Sequence, residues 1–161
     1  MSNLFAVVDT ARDRRLYDLV YTALGPVCLF AGQLAPALRE TAPYLVPLHD
    51  AEELLAAWRK DGIGQSWGIF LRSSMETPRI RKHLRKFLLA KLPDGRQVLF
   101  RWWDPRVFRV YLPTCEADDL KSWFEEVDEF ICEMADGQGF EEFRGKSGTI
   151  TSRRMDERGV L

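Results

Sequence analysis

Arginine, tryptophan and aspartate are concentrated in one short stretch of the chain, Arg101-Trp102-Trp103-Asp104-Pro105-Arg106. A carboxylate can accept two parallel hydrogen bonds from a guanidinium group, so Asp104 is suited to a forked ion pair with a nearby arginine. If the stretch belongs to a strand over 97–103, alternation places Arg101 and Trp103 on one face and Trp102 on the other. Tryptophan and arginine are also enriched at the energetic centres of protein interfaces. Two interpretations stay open: a structural ion pair and a recognition surface.

Residues that could make or break bonds are few. His49 and His83 are the only two histidines, and His83 is expected on the solvated face of a basic helix. A hydrolase or nuclease that uses Asp9, Asp104 and His83 remains an alternative, provided that the fold brings these side chains within a few ångströms of one another. Because no recognised catalytic motif surrounds them, we predict that the chain is not an enzyme.

Metal and nucleotide sites are poorly supported by the residue types present. Cys28, Cys115 and Cys132 are odd in number and widely spaced, which argues against both a zinc site and a disulfide framework. The segment Gly145-Lys146-Ser147 resembles the end of a phosphate-binding loop, but the preceding glycine lies one residue too far away. We therefore expect neither a metal nor a cofactor.

Charge is divided between two stretches although the formal net charge is only −1. Residues 79–109 hold ten Lys or Arg against two acids, a balance of +8, and residues 116–142 hold eleven acids against one Lys, a balance of −10. Such stretches can steer a protein partner, or they can neutralise each other inside the fold. The basic helix over 79–86 could instead bind a phosphate backbone. Its outer face lacks stacking aromatic residues, so we expect no nucleic-acid partner.

Short apolar stretches alternate with amphipathic stretches along the chain. The runs Leu4–Val8 and Trp67–Leu71 predict buried strands, and seven apolar residues between 120 and 134 recur at helical spacing. The predicted strands lie at 4–8, 27–30, 44–46, 67–71, 89–91 and 97–103. The predicted helices lie at 13–24, 50–62, 77–88 and 114–134, the last of them capped by Thr114. Prolines flank the strand at 44–46, which favours a sheet edge.

These elements predict an α/β fold in which a mixed central sheet is flanked by amphipathic helices. Residues 1–140 form a single domain in this interpretation. Residues 141–161 form a flexible polar tail, because glycine, serine, threonine and arginine dominate from Arg144 onward. Such a composition buries too little apolar surface to offset the entropy lost on ordering.

Long apolar segments are absent from the sequence. No run approaches the roughly 20 residues that a membrane-spanning helix needs, and the start of the chain does not have the pattern of a signal peptide. We therefore expect a cytoplasmic protein without a membrane partner.

Five segments, in this order, resemble the effector-chaperone or adaptor family of type VI secretion, known as domain of unknown function family 4123. They are Phe5–Asp9, Ala42–Val46, Trp67–Leu71, Leu92–Gly95 and Phe100–Arg106. The resemblance covers roughly residues 4 to 134. The family usually has an Arg-Phe-Tyr/Trp-Asp-Pro-Arg motif, in which tryptophan at position 102 here occupies the first aromatic position.

The resemblance implies a bacterial protein that binds a toxic effector and helps to load it onto the secretion spike, a valine-glycine-repeat protein. It implies no catalysis and no cofactor. Aromatic surface would cover an aggregation-prone segment of the effector, and charged side chains would set its orientation. The expected partner-binding residues are Trp67, Arg101, Trp102, Trp103, Asp104 and Arg106.

Overall fold

A seven-stranded antiparallel sheet forms the centre of the computed structural model, which describes residues 1–161. Its strands lie in the spatial order β2-β3-β1-β4-β7-β8-β9, and a separate two-stranded hairpin is formed by β5 and β6. The nine strands are β1 (Asn3–Asp9), β2 (Val27–Cys28), β3 (Pro43–Pro47), β4 (Gly68–Ser73), β5 (Leu89–Lys91), β6 (Gln97–Leu99), β7 (Glu129–Glu133), β8 (Phe140–Lys146) and β9 (Thr149–Met155). The predicted α/β domain with a central sheet is confirmed. Every strand pairing is antiparallel, however, so the sheet is not mixed.

Six short helices cover the two faces of the sheet. They are α1 (Leu16–Val20), α2 (Pro36–Arg39), α3 (Glu52–Ala57), α4 (Thr77–Leu84), α5 (Pro105–Tyr111) and α6 (Ala117–Trp123). The longest of them, α4, has eight residues, and none is long and apolar enough to cross a membrane. The amphipathic pattern of the sequence is therefore used for packing against the sheet.

Two hydrophobic cores lie on opposite faces of the sheet. On one face, Val20 of α1 and Leu54 of α3 pack in the same cluster as Val8. On the other face, helices α4, α5 and α6 bury large side chains in the same cluster as Val7 and Ile69. Because both faces of β1 and β4 are covered, these strands are continuous apolar runs, as parallel-sheet strands often are, even though they are antiparallel.

The strand β3 lies one position inside the edge of the sheet, not at the edge as predicted. The edge strand β2 pairs only with Tyr44 and Leu45. The prolines at the two ends of β3 pair with Asp9 and Phe5 of β1 but lie outside the segment that pairs with β2, so a missing N–H donor on the β2 side costs little.

The predicted helix over 114–134 is wrong. The helix α6 ends at Trp123, and β7 begins at Glu129. Phe130 and Ile131 lie in opposite cores, so the apolar run is a strand buried on both faces. The apolar residues of β7 happen to fall at the three- and four-residue spacing of α6, so the sequence pattern looks like one continuous helix. Thr114 does not cap α6; its hydroxyl donates instead to the Tyr111 carbonyl at 2.7 Å.

The prediction of a flexible tail over 141–161 is also wrong. These residues supply most of β8 and all of β9, and Phe143 and Val160 are buried. The buried Glu142 carboxylate accepts from Arg144 and from Arg153, which ties the two strands together through charge rather than apolar area. A two-residue turn at Ser147 and Gly148, with φ values of 54° and 78°, joins them, and this geometry suits antiparallel strands.

Candidate partner-binding surface

Three neighbouring strands bring candidate site residues to the same end of the sheet. β1 ends at Asp9, Trp67 comes directly before β4, and β7 ends at Glu133. Since β4 is antiparallel to both β1 and β7, its first residues lie beside the last residues of those strands. Asp9 and Glu133 are both buried here. We call this region the Asp9 end of the sheet.

Asp9 is held by backbone groups and by one arginine. Its N–H donates to the Trp67 carbonyl at 2.8 Å, and its Oδ1 accepts from the N–H of Ala11 at 3.2 Å. Its Oδ2 accepts from Nη2 of Arg101 at 2.7 Å. Burial raises the pKa of Asp9, and the guanidinium group of Arg101 opposes that rise. The pair therefore anchors Arg101 across 92 residues of sequence.

Asp104 has two roles at the beginning of α5. Its Oδ1 accepts from the N–H of Arg106 at 2.9 Å, which caps the helix, and Pro105 occupies the first helical turn. The guanidinium group of Arg106 also donates Nε to Oδ1 at 3.0 Å and Nη2 to Oδ2 at 2.7 Å. Burial favours the protonated acid, but the hydrogen bonds from Arg106 outweigh it and lower the pKa of Asp104. The predicted forked ion pair is present.

Glu133 was not identified from the sequence as a site residue. Its carboxylate accepts from the N–H of Gly64 at 2.8 Å and from the N–H of Ser66 at 2.7 Å. Nη1 of Arg109 donates to the Glu133 carbonyl at 3.0 Å. Glu133 thus ties the loop before β4 to β7 and to α5. The sequence does contain one signal for Glu133: it is an acidic residue directly after the apolar run Phe130–Cys132. That signal indicates a strand end only if the run is interpreted as a strand.

The three tryptophans predicted as contact residues lie below the surface. Trp67, Trp102 and Trp103 are 2%, 0% and 1% exposed. Trp102 and Trp103 both lie in the core beneath α5, so the predicted alternation between faces is wrong. The reason is local: β6 ends at Leu99, and the residues that follow form a turn into α5 rather than a strand. These indoles therefore support the surface and offer a partner almost no contact area.

Arginine side chains cover the buried acids and indoles. The Arg101 and Arg106 side chains are 46% and 52% exposed. Arg101 also lies over the Trp103 ring at 5.6 Å from its centroid, and Arg15 lies over the Trp67 ring at 5.5 Å. Arg12 donates to the carbonyl of Gln65 in the adjoining loop at 3.4 Å and lowers the pKa of Asp104 through its charge. We call this set, Arg12, Arg15, Arg101 and Arg106, the arginine rim.

An apolar groove lies beside the hairpin of β5 and β6. Its volume is about 250 Å³, and Lys86 is the one charged residue that lines it. The rings of Phe100 and Tyr111 meet edge to face with centroids 4.7 Å apart, and those of Phe87 and Trp123 stack at 3.7 Å. We call this feature the hairpin groove; its apolar lining residues are Phe87, Leu89, Ala90, Phe100, Tyr111 and Trp123.

Exposed apolar side chains are concentrated on the same two elements. Of nine large hydrophobic residues that are exposed, five belong to the hairpin or to α5: Leu89, Val98, Leu99, Val107 and Val110. Val110 is 66% exposed and lies one turn along α5 from Arg106. The helix α5 therefore begins at the arginine rim and ends at Tyr111 in the hairpin groove. The sequence contains these apolar residues but gives no signal that they remain uncovered.

His83 does not join Asp9 and Asp104. It is 2% exposed, not solvated as predicted, and its Nε2 lies 3.0 Å from the Trp123 carbonyl. The two aspartates are instead bound by Arg101 and Arg106. No group of three or more His, Cys, Asp or Glu side chains could hold a metal ion. The three side chains of the hydrolase or nuclease alternative thus have separate partners.

The basic helix and the acidic stretch are partly joined by ion pairs. Arg79 of α4 pairs with Glu126 at 2.9 Å, and Lys86 pairs with Glu125 at 3.0 Å. Arg81 turns inward and donates Nε to the Cys28 carbonyl at 2.7 Å. For these residues the structure favours mutual neutralisation within the fold over a free basic face.

Comparison with known protein families shows which family the chain belongs to. A family model described as Domain of unknown function (DUF4123) matches residues 4–122. The chain belongs to the DUF4123 family. The DUF4123 match includes the arginine rim and most of the hairpin groove, and it leaves β7, β8 and β9 outside. Neither the curated proteins nor the solved structures give a significant match.

Proposed function

We propose that this DUF4123 protein is a cytoplasmic adaptor that binds a type VI secretion effector, a toxin, and helps to load it onto the valine-glycine-repeat spike. The observation that carries the proposal is the hairpin groove with its exposed apolar residues. A concave apolar surface next to oriented charged side chains is suited to holding a segment of another protein. Membership of the DUF4123 family is consistent with this role.

The hairpin groove supplies the apolar part of the proposed contact. Leaving Leu89, Leu99 and Val110 in water forgoes the free energy that burial would give, about 25 cal/mol for each Å² covered. Aromatic side chains line the groove and bring large contact areas. An effector segment with a row of apolar side chains would cover both the groove and the exposed face of α5.

The arginine rim supplies the polar part. Arg101 and Arg106 are each anchored through one edge to a buried carboxylate and remain about half exposed. Their guanidinium groups therefore have fixed positions and unused donors, which lowers the entropy lost when a partner carboxylate or carbonyl binds. Asp104 positions Arg106, Trp103 positions Arg101 and Trp67 positions Arg15, whereas Trp102 supports them from the core; none of these four residues touches the effector.

The proposal is tested by co-purification with the toxin encoded beside the gene of this chain. We expect the wild-type chain to retain the toxin, and Val110→Asp to lose it because a carboxylate cannot be buried in an apolar contact without a partner. Leu38→Asp is the matched control, since Leu38 is also an exposed apolar helix residue, 47% exposed, and lies on α2.

Both variants should melt within a few degrees of the wild-type chain, because both positions are exposed. Equal retention of the toxin by the wild-type chain and Val110→Asp would contradict the proposed surface. Failure of the wild-type chain to retain the toxin would contradict the proposed function itself.

A further inference from the structure

The strand β9 forms a long unpaired edge of the sheet. It spans seven residues and pairs only with β8, whereas the opposite edge, β2, has two residues. In an antiparallel strand, alternate residues direct both N–H and C=O away from the existing partner. An edge of this length is a template for one more strand.

Most of the devices that protect sheet edges are missing from β9. Its register with β8 is continuous from Met155 to Thr149, so no bulge twists it away. It contains no proline, and Thr149 and the four residues 151–154 are all exposed. Only positive charge, from Arg153 and Arg154, discourages pairing here. Charge therefore selects what can pair with this edge.

The charge around β9 favours an acidic strand. Arg153 and Arg154 extend from opposite faces of β9, with side chains 67% and 58% exposed. Lys146 on β8 is also exposed. Arg153 pairs with the buried Glu142, and Arg154 pairs with Asp136 at 3.6 Å and stands opposite Glu141. The strand β9 itself carries no acid, however, and both arginines keep more than half of their side chains exposed. Cross-strand pairs of opposite charge stabilise a sheet and like charges destabilise it. A second copy of β9 would bring arginine against the same basic edge, so it is the less favourable partner.

We propose that β9 binds an extended acidic segment of a partner protein by strand addition. Backbone hydrogen bonds would supply the affinity, and carboxylates facing Arg153 and Arg154 would supply the preference. The inference does not depend on the hairpin groove. The strands β7, β8 and β9 lie outside the DUF4123 match. Other members of the family therefore need not have this edge, and the partner that it binds need not be common to the family.

A labelled peptide tests the proposal directly. The probe is a fluorescein-labelled heptapeptide of sequence Thr-Glu-Glu-Val-Glu-Glu-Thr, which carries carboxylates on both faces of an extended strand. It is titrated with the full chain and followed by fluorescence anisotropy. We expect saturable binding, and weaker binding when lysine replaces each glutamate. No binding of the acidic peptide at millimolar chain concentration would overturn the proposal, and so would tighter binding of the lysine peptide.

Backbone methylation separates strand addition from simple charge attraction. Two isomers of the acidic peptide carry N-methyl groups on alternate residues, one on the odd positions and one on the even positions. Since alternate N–H groups of a strand point to opposite sides, we expect one isomer to lose binding and the other to retain it. Equal binding of both isomers would show that charge alone holds the peptide, and would overturn strand addition.

Charge changes on the edge itself locate the site. Thr151→Lys should tighten binding of the acidic peptide and Thr151→Glu should weaken it, each by about two- to fivefold in Kd. Gln33→Lys and Gln33→Glu are the controls, since Gln33 is exposed on a loop far along the chain from β9. Equal shifts at both positions would overturn the assignment to β9. A concentration-dependent dimer that the peptide dissociates would identify a second copy as the occupant, and would also overturn it.

Discussion

At the candidate surface, the acidic side chains are buried and the arginine side chains that bind them remain exposed. Asp9 and Asp104 are buried and bound, whereas their partners Arg101 and Arg106 remain half exposed. The sequence predicted a forked ion pair for Asp104 because arginines lie near it along the chain. It could not predict the pair of Asp9 with Arg101, which joins residues that only the fold brings together. It also could not show that Trp67, Trp102 and Trp103 are covered, because their neighbours come from distant elements.

His83 gives the molecule a pH dependence that can be measured. Burial lowers the pKa of His83, whereas a histidine in the unfolded chain keeps a pKa of about 6.5. The unfolded state therefore binds the proton first as the pH falls. The stabilising contribution of neutral His83 is complete above about pH 6.5 and is lost progressively below it, toward the lowered pKa of the folded state. We expect the melting temperature to fall between pH 7 and pH 5.

The variant His83→Gln isolates this effect. A glutamine amide can still donate to the Trp123 carbonyl and does not titrate, so the variant should lose less stability over the same pH interval. His49→Gln, at an exposed position, is the control and should follow the wild-type curve. Parallel curves for the wild-type chain and His83→Gln would contradict this account of His83.

Among the elements, those with a strong local pattern were predictable and those defined by distant packing were not. The strands β1 and β4 are apolar runs bounded by polar residues, and α4 begins at Thr77-Pro78, so local chemistry identifies all three. The strand β7 follows α6 closely enough to continue its spacing. The hairpin of β8 and β9 is held by ion pairs such as Arg153 with Glu142 at 2.6 Å, which composition does not reveal. The residues Ser147 and Gly148, which favour a turn, were the one local indication of this hairpin in the sequence.

The helix α5 connects the arginine rim to the hairpin groove, so the stability of its first turn affects both. Asp104→Ala removes both the cap and the forked ion pair, and we expect a loss of about 2 kcal/mol in the free energy of unfolding, measured by chemical denaturation at pH 7. Asparagine is nearly as good a cap as aspartate, so Asp104→Asn should cost about half as much. Equal losses in the two variants would show that the cap contributes nothing.

Across the whole molecule, charge is partly neutralised within the fold, while more than half of the exposed large apolar residues lie on two neighbouring elements. The basic stretch around α4 meets the acidic stretch through Arg79 and Lys86. The exposed apolar residues instead collect on the hairpin and α5. Sequence composition predicted the separation of charge but could not show that the two stretches meet. The position of the uncovered apolar surface likewise depends on how the hairpin β5–β6 packs against α5, which no local pattern determines.

Hydrogen–deuterium exchange of the chain, free and bound to the toxin encoded beside its gene, tests the central claim most directly. The backbone amides of residues 87–111, which hold the hairpin groove and α5, should exchange at least tenfold more slowly in the complex, and those of α2 should keep their free rate. A complex that forms without slower exchange in residues 87–111 would contradict the proposed surface.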